Sequence, residues 1–407
     1  MSEAIHDFSA KLRQPSLRKP VTDYLRWRRS LARARAAGAP DPAPPEQAPI
    51  SINLDLTTAC NYRCDHCIDW EILNSGHQHD DARLRGSIET LRERGLRSVI
   101  LIGGGEPTLY PGFASFVGFL KAQGLQTAIV SNGGRGDRLL EAAEHLEEGD
   151  WLRLSLDAAS NELFSAMHRP ASKSLTLDGI CKWIPRIKAC NPSFEIGYSY
   201  VIVWQGASRD DVPILENIHE IAAATERAKR YGFDYISLKP VLERGEDGAE
   251  IMDPEATKHS LTSVIARIHE QVEAAQLLAD ERFSVRVSTN LRVLEEGSWQ
   301  ELRNQPRVCH MQALRQVLTP MGTYNCPAHR GVDKAKLGGA DAWSDDAMAG
   351  LTAGQLADLI DRFDASVECR HVTCLYNSVN WWLEKQVEQP SDEIDIEAGE
   401  ERLDFFL

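Results

Sequence analysis

The sequence predicts an α/β fold in which six parallel strands form an open or partial barrel. From residue 50 onward, short apolar stretches alternate with segments of helical periodicity, which is typical of β–α–β units. Glycine-rich and polar residues directly follow several of these stretches, and the carboxyl ends of barrel strands are where chemistry is expected. The predicted strands are residues 50–56, 98–102, 127–131, 152–156, 195–203 and 235–238.

The helices predicted between these strands are residues 80–94, 113–123, 138–147, 175–188 and 212–231. A longer helix follows Pro254, and a short strand at 283–287 comes after it. The apolar side chains of the longer helix recur at helical spacing, and we interpret them as core packing. They are Leu261, Ile265, Ile268, Val272 and Ala275.

Four segments divide the chain. Residues 1–49 form a basic extension, with an amphipathic helix followed by a proline-rich linker. The barrel is expected to span residues 50–290. Residues 300–385 contain four cysteines and little alternation of strand and helix, so we expect a small separate domain there. Residues 386–407 form an acidic tail. The apolar residues that mark the first helix are Val21, Tyr24, Leu25 and Leu31.

The two ends of the chain carry opposite charge. Nine Lys or Arg and one acidic residue lie between residues 11 and 38, whereas residues 388–407 contain eight acidic residues and one Arg. We interpret each as a solvated face or tail. The alternative is a basic arm that touches an acidic partner, or a tail that contacts a neighbouring subunit.

Composition excludes several classes of protein. With 407 residues and 43 % hydrophobic content the chain can bury a sizeable core, and a net charge of −15 argues against nucleic acid as the main partner. No apolar run approaches the roughly 18 residues that a membrane helix needs, and the first residues lack the apolar stretch of a secretory signal. We therefore expect no membrane association and a cytoplasmic location. The nine cysteines are then candidate metal ligands, since that compartment is reducing.

Three cysteines follow the first predicted strand. Cys60, Cys64 and Cys67 lie within eight residues on one loop. Three soft thiolate ligands suit an iron–sulfur cluster, and three rather than four would leave one iron open to another ligand. A zinc site with His66 as the fourth ligand is the alternative. Spacing alone leaves both interpretations open.

A second motif ends the next strand, where three glycines precede Glu106 and let a ligand approach the backbone closely. Together the two motifs resemble the radical S-adenosylmethionine (SAM) superfamily, whose signature is Cys-x3-Cys-x2-Cys. The resemblance implies a partial (β/α)6 TIM-like barrel whose open iron chelates the amino and carboxylate groups of SAM. The glycine-rich strand end, which is Gly103, Gly104, Gly105 and Glu106, would hold the methionine amino group.

The same resemblance implies the chemistry. Reduction of the cluster, by a donor of the flavodoxin or ferredoxin type, cleaves SAM to methionine and a 5′-deoxyadenosyl radical that abstracts hydrogen from the substrate. His66 occupies the position where the family usually has an aromatic residue, and it can stack on adenine. Further SAM contacts are expected at the next two strand ends, where ordinary loop capping is the alternative. These residues are Ser131, Asn132, Ser155 and Asp157.

A second group of cysteines follows the barrel, and it consists of Cys309, Cys326, Cys369 and Cys374. Four thiols could ligate every iron of a cluster, although structural zinc competes. The order resembles the SPASM and twitch extensions of radical SAM enzymes, which implies one auxiliary [4Fe–4S] cluster, because a full SPASM domain needs more cysteines. Cys181 and Cys190 are interpreted as packed residues, or alternatively as thiols that return hydrogen to a substrate radical.

The leading functional hypothesis is oxidation or epimerisation of a small polar metabolite, such as a sugar, an aminocyclitol or an amino-acid derivative. The alternative is a maturase that modifies a ribosomally made peptide. A non-catalytic iron–sulfur or zinc protein is the third hypothesis. Lys239, after the sixth strand, is a candidate partner for a substrate carboxylate. Candidates for the barrel mouth are Asp69, Glu71, His77, His79, Tyr198, Tyr200 and Arg286.

Overall fold

The structure, a computed structural model, describes residues 7–209, 212–257, 259–391 and 393–407. Its strands are β1 (Ser51–Leu54), β2 (Ser98–Leu101), β3 (Gln126–Ser131), β4 (Trp151–Ser155), β5 (Glu195–Ile202), β6 (Ser208–Arg209), β7 (Val212–Pro213), β8 (Tyr235–Pro240), β9 (Glu243–Arg244), β10 (Glu250–Ile251), β11 (Ser284–Val287), β12 (Arg315–Thr319), β13 (Gly322–Tyr324) and β14 (Lys336–Gly338).

The α-helices before β8 are α1 (Phe8–Leu12), α2 (Arg18–Ala36), α3 (Asp81–Glu93), α4 (Phe113–Ala122), α5 (Gly136–Ala143), α6 (Asn161–His168), α7 (Leu177–Cys181), α8 (Trp183–Cys190) and α9 (Ile221–Tyr231). Those after it are α10 (Leu261–Gln276), α11 (Thr289–Glu295), α12 (Met311–Leu314), α13 (Asp346–Arg362), α14 (Ala365–Glu368) and α15 (Asn377–Glu388).

One large sheet dominates the fold. Its strand order is β11-β8-β5-β4-β3-β2-β1-β12-β13-β14, and every pair from β11 to β12 is parallel. The last two pairs are antiparallel. The parallel strands curl around a lumen, because β1, β2, β4, β8, β11 and β12 all contribute residues to one internal cavity. The predicted partial barrel of the TIM type is therefore confirmed.

All six predicted barrel strands are present, and the strand predicted at 283–287 forms β11. The sheet also continues into the cysteine-rich segment, where Arg315–Thr319 pairs in parallel with β1. Residues 300–385 are thus joined to the barrel, because one of their strands belongs to the barrel sheet. The domain boundary near residue 300 stays a prediction. No described helix is long and apolar enough to cross a membrane.

Proline explains two differences between the predicted and observed helices. The helix predicted at 212–231 begins only at Ile221, after a 3-10 turn at Ile218–Glu220; Val212 is extended because proline disfavours helical backbone in the residue before it. The helix predicted at 175–188 is divided after Cys181. Pro185 lacks the N–H that would bond the carbonyl of Cys181, and its ring clashes there.

The charged ends of the chain contact each other. Arg29 in α2 donates to the carbonyls of Gln386 (2.9 Å), Ser391 (2.6 Å) and Glu393 (3.1 Å), and Lys11 pairs with Asp404 at 2.8 Å. The basic helix and the acidic tail are therefore neighbours within one chain. The apolar residues of α2 share a buried cluster with those of α12 and α15, including Val21, Tyr24, Leu25, Leu31, Met311, Val379 and Leu383.

Candidate active site

The three-cysteine loop lies between β1 and α3, at the carboxyl end of the barrel. Cys60, Cys64 and Cys67 are all half-buried free thiols. Burial raises the pKa of Cys60 to about 11 and that of Cys67 to about 12, and the charges of neighbouring thiolates add to the shift in Cys64 and Cys67. A bound cation would be needed to stabilise the deprotonated form of three thiols this close together. The donor set therefore fits a metal cluster.

Two histidines approach this loop. The Nδ1 atom of His168 lies 3.2 Å from Sγ of Cys64, and His66 donates from Nε2 to Asp157 at 3.0 Å. Among the described residues, Cys64, His66 and His168 bring a thiol and two imidazoles within 4.8 Å of one another. The geometry by itself therefore keeps the zinc interpretation open. His168 was not predicted from the sequence, where a histidine at the end of a helix carries no distinguishing signal.

The glycine turn after β2 packs directly against the cysteine loop. Gly103 and Gly104 have positive φ angles of 63° and 66°. A Cβ atom on Gly105 would lie 2.5 Å from the carbonyl oxygens of Thr57 and Ala59. Only glycine allows this approach, so the turn fixes the loop above the strand end.

Glu106 joins the ends of β2 and β3. Its carboxylate accepts hydrogen bonds from Oγ1 of Thr108 (2.6 Å), Oγ of Ser131 (2.7 Å) and the backbone N–H of Asn132 (2.7 Å). Burial raises its pKa although these donors oppose the shift. Nδ2 of Asn132 also lies 3.9 Å from Sγ of Cys60. Three of the residues predicted to contact SAM are thus brought together beside the cysteine loop, and their role in SAM binding stays a prediction.

Asp157 follows β4 with a positive φ of 51°, which is a strained conformation for a residue with a side chain. Its Oδ1 accepts from the backbone N–H of Val201 at 2.6 Å, and its Oδ2 accepts from His66. Burial opposes ionisation, but the hydrogen bond and charge of His66 hold the pKa of Asp157 below its usual range. Ser155 is half-buried at the end of β4 in register with Ser199. Both predicted ribose contacts therefore lie at the barrel mouth.

The remaining residues predicted at the barrel mouth differ in burial and in contacts. Tyr198 and Tyr200 are fully buried and donate their hydroxyls to the carbonyls of Ala158 and Asn217, so they serve packing rather than the lumen. Lys239 is half-buried near the carboxyl end of β8, and desolvation lowers its pKa to about 8. Glu71 and His77 are exposed.

The four later cysteines line one cavity. Cys309, Cys326, Cys369 and Cys374 border this cavity together with Arg315. Burial raises the pKa of Cys326 to about 12, and the thiolates of the group raise one another further. Four converging thiols fit a cluster with every iron ligated, and they would fit zinc as well. Asn380 donates to Cys309 at 3.6 Å.

A buried ion cluster links the two cysteine groups. Arg330, four residues after Cys326, pairs with Asp69 at 2.5 Å and with Asp55 at 3.5 Å. Asp69 is two residues after Cys67, and it also accepts from the backbone N–H of Gly104 at 3.3 Å. Burial raises the pKa of Asp55 to about 7, against the charge of Arg330. Asp55 directly follows β1, and its signal in the sequence is a carboxylate in the alternating polar positions of the first predicted strand, after Ser51 and Asn53.

Comparisons with known proteins agree with this geometry. The sequence profile described as the radical SAM superfamily matches residues 54–193. A S-adenosylmethionine-dependent nucleotide dehydratase from Thermoplasmatales archaeon (strain ISO4-H5) is 34 % identical over 26 % of this chain and 38 % of its own length. A GTP 3′,8-cyclase from Chlorobaculum tepidum is 30 % identical over 40 % of this chain and 47 % of its own length. The chain thus spans less than half the length of these curated relatives.

Two crystal structures of Streptococcus suis SuiB share the fold. The one bound to S-adenosylmethionine has a TM-score of 0.52 at 16 % identity, covering 75 % of this chain and 67 % of SuiB. The one bound to the precursor peptide SuiA has a TM-score of 0.50 at 15 % identity, covering 78 % and 68 %. The cysteine loop, the glycine turn and the profile match coincide at the carboxyl end of one barrel. Residues 54–193 therefore form a radical SAM domain, and the family of this domain uses a [4Fe–4S] cluster and SAM.

Proposed function

We propose that this protein oxidises a small polar substrate by radical SAM chemistry, with Cys60, Cys64 and Cys67 holding the SAM-binding cluster and the four later cysteines holding an auxiliary [4Fe–4S] cluster. One observation carries the proposal: Arg315 lines both the barrel cavity and the cavity of the four cysteines. A substrate in the barrel would therefore lie next to the auxiliary cluster. A flavodoxin- or ferredoxin-type protein is the proposed electron donor.

When bound, these cofactors supply hydrogen-atom abstraction and one-electron transfer. The substrate then loses one hydrogen atom, one electron and one proton, which together make a two-electron oxidation. The protein's own residues hold the two cysteine-bearing segments in place. The ion pairs of Arg330 with Asp69 and Asp55 connect the first cysteine loop to the segment of Cys326. Because these charges are buried, they fix the separation of the two sites more firmly than exposed pairs could.

The positions of the other two cysteines support oxidation over epimerisation by a thiol. Cys181 is buried in α7, in the layer of helices outside the sheet, and Cys190 is exposed at the end of α8. All nine cysteines of the sequence lie in the described residues, and seven belong to the two groups. No thiol remains in the barrel lumen to return hydrogen to a substrate radical.

The covered ends of the barrel support a small substrate. At the mouth, Arg209 from the β6–β7 hairpin donates to the carbonyl of Cys64 at 2.9 Å, and Arg244 from the β9–β10 hairpin donates to that of Ile68 at 3.2 Å. At the other end, Phe406 packs on Ile100 within the lumen. Two of the relatives are named for reactions on nucleotides, which are small and polar.

The experiment is anaerobic reconstitution followed by reaction with SAM and dithionite in the presence of nucleotides, phosphosugars, aminocyclitols and amino-acid derivatives. We expect 5′-deoxyadenosine to form faster with one of these compounds, together with a product two hydrogens lighter. SuiB is captured with a precursor peptide, so short peptides form a parallel arm. Turnover with a peptide alone would reject the small-substrate proposal.

Iron counting tests the two clusters separately. The double variant C369A/C374A should lose about half of the iron, since each cluster holds four. Cys190→Ala is the matched control, because this thiol is exposed and outside both groups. Zinc in place of the lost iron would reject the auxiliary cluster.

A further inference from the structure

The lumen of the barrel contains arginines that have no acidic partner. The cavity encloses about 470 Å³ and is lined by Arg153, Arg286 and Arg315 among others. Arg286 is neutralised, because its guanidinium pairs with Glu195 at 2.6 and 3.1 Å. Arg153 and Arg315 form no ion pair with any described residue. The lumen therefore holds two unneutralised guanidinium groups.

Arg153 projects from β4, in register with Gly197 on β5. Its Nε atom is buried and has no hydrogen-bond partner among the described residues. The guanidinium carbon lies 5.0 Å from the centre of the Trp151 ring, so the side chain is held by stacking and its N–H groups stay available. Lys239 is close enough for the two charges to affect each other.

Arg315 is the first residue of β12 and lies between two cavities. Its Nη2 donates to Oδ1 of Asn53 at 2.6 Å, and its guanidinium lies 5.5 Å from the ring of Tyr376. Its buried Nε has no partner among the described residues.

Both side chains are half-buried, and cations withdrawn from water without partners are costly, while like charges in one lumen add to the cost. An anion in the lumen removes both penalties. A guanidinium group offers planar paired donors that match a phosphate or a carboxylate, which an ammonium group does not. Two such groups on opposite walls of a cavity can hold one anionic group between them.

We propose that Arg153 and Arg315 form an anion-binding subsite in the barrel lumen that holds the phosphate or carboxylate group of the substrate. This inference rests on the proposed function, since it names the chemical class of the substrate for that same lumen. Because Arg315 also borders the four-cysteine cavity, the anionic end of the substrate is directed toward that side of the barrel.

The test is calorimetric titration of the reconstituted, anaerobic holoenzyme in a low-chloride buffer. Inorganic pyrophosphate probes for a phosphate site, and succinate probes for a carboxylate site. We expect one of the two probes to bind to wild type at one site per chain. Arg153→Gln and Arg315→Gln should each weaken that binding about tenfold or more, since hydrogen bonds to charged groups contribute about 1.5–3 kcal/mol.

The matched control is Arg286→Gln, which changes an arginine of the same cavity that already has a carboxylate partner. It should bind the probe within about threefold of wild type. Equal losses in all three variants would show a general effect of charge and overturn the subsite, as would unchanged binding in Arg153→Gln and Arg315→Gln. If a glutamine variant fails to fold, Arg153→Lys and Arg315→Lys keep the charge and remove the paired donors, and the same loss is expected.

Probe binding and SAM cleavage by the wild-type protein distinguish a failure of this inference from a failure of the proposed function. If wild type cleaves SAM with substrate but binds neither probe, the subsite is wrong and the function stands. If a probe binds at the two arginines but no small compound supports 5′-deoxyadenosine formation, the subsite stands and the proposed function is wrong.

Discussion

The two cysteine groups of this protein are built in opposite ways. The first is a local feature, with three thiols inside eight residues of one loop that is held by the glycine turn of the neighbouring strand. The second is a tertiary feature, with one cysteine before β12, one after β13 and two before α15. The first site therefore depends on the barrel, whereas the second depends on a core that includes both ends of the chain.

The largest effect should come from the first group. Replacing Cys60, Cys64 and Cys67 with Ala should abolish SAM cleavage, because no other described residues offer three thiols at the glycine turn. The second group should keep its iron. Iron and sulfide counting together with 5′-deoxyadenosine measurement checks both statements, and Cys190→Ala is the control. Loss of all iron would show that the two sites do not assemble independently.

Next in size is the link between the two groups. Arg330→Met leaves the buried carboxylates of Asp55 and Asp69 facing each other and should destabilise the fold by about 3–5 kcal/mol. Chemical denaturation under anaerobic conditions measures the loss. Arg135→Met breaks an exposed pair with Asp137 and should cost less than about 1 kcal/mol. Equal effects of the two variants would mean that the buried cluster does not hold the sites together.

A substitution in the core that packs under the second group should affect only that group. Leu25 in α2 is fully buried beside residues of α12 and α15, so Leu25→Ala should cost about 3 kcal/mol and loosen the segments that carry Cys309 and Cys374. We expect iron to be lost from the second group first, and SAM cleavage to persist. Leu277→Ala is the control, since Leu277 is 87 % exposed. Equal loss of iron from both groups would remove the distinction between local and tertiary sites.

The smallest effect concerns pH. Burial lowers the pKa of His79, beside the first loop, to about 4. The unfolded chain takes up a proton near pH 6.5 and the folded chain does not, so stability should fall as pH drops from 6.5 to 4. His79→Gln should flatten this dependence by about 2–3 kcal/mol over that window. The exposed His77→Gln variant should keep the wild-type slope, and an equal change in both variants would exclude His79 as the cause.

Much of the fold could be predicted because each of its strands is determined by residues that are close together in the sequence. Apolar stretches located the six barrel strands, and the order of the motifs placed the loop of Cys60, Cys64 and Cys67 beside the glycine turn. Strand β12 was missed, since Arg315–Thr319 lies outside the strand–helix alternation and pairs in parallel with β1, more than 250 residues away in the sequence. Tyr198 and Tyr200 were placed at the mouth because a strand's two faces cannot be assigned without its neighbours.

The sequence also could not indicate which residues form ion pairs with one another. Arg330 and Asp69 are 261 residues apart, and nothing local indicates that they meet. Arg153 and Arg286 are both arginines on barrel strands. Only the structure shows that Glu195 neutralises one and that the other has no acidic partner among the described residues.

The contact between the basic helix and the acidic tail has a consequence for how the protein matures. The residues that build the first site, from β1 to His168, leave the ribosome early. The core under the second site cannot be completed until the tail that packs on α2 has been synthesised. At about 5–20 residues per second, the interval is on the order of tens of seconds. Iron–sulfur delivery to this chain would then be ordered in time by translation itself, with the barrel loaded while the later cysteines are still being made.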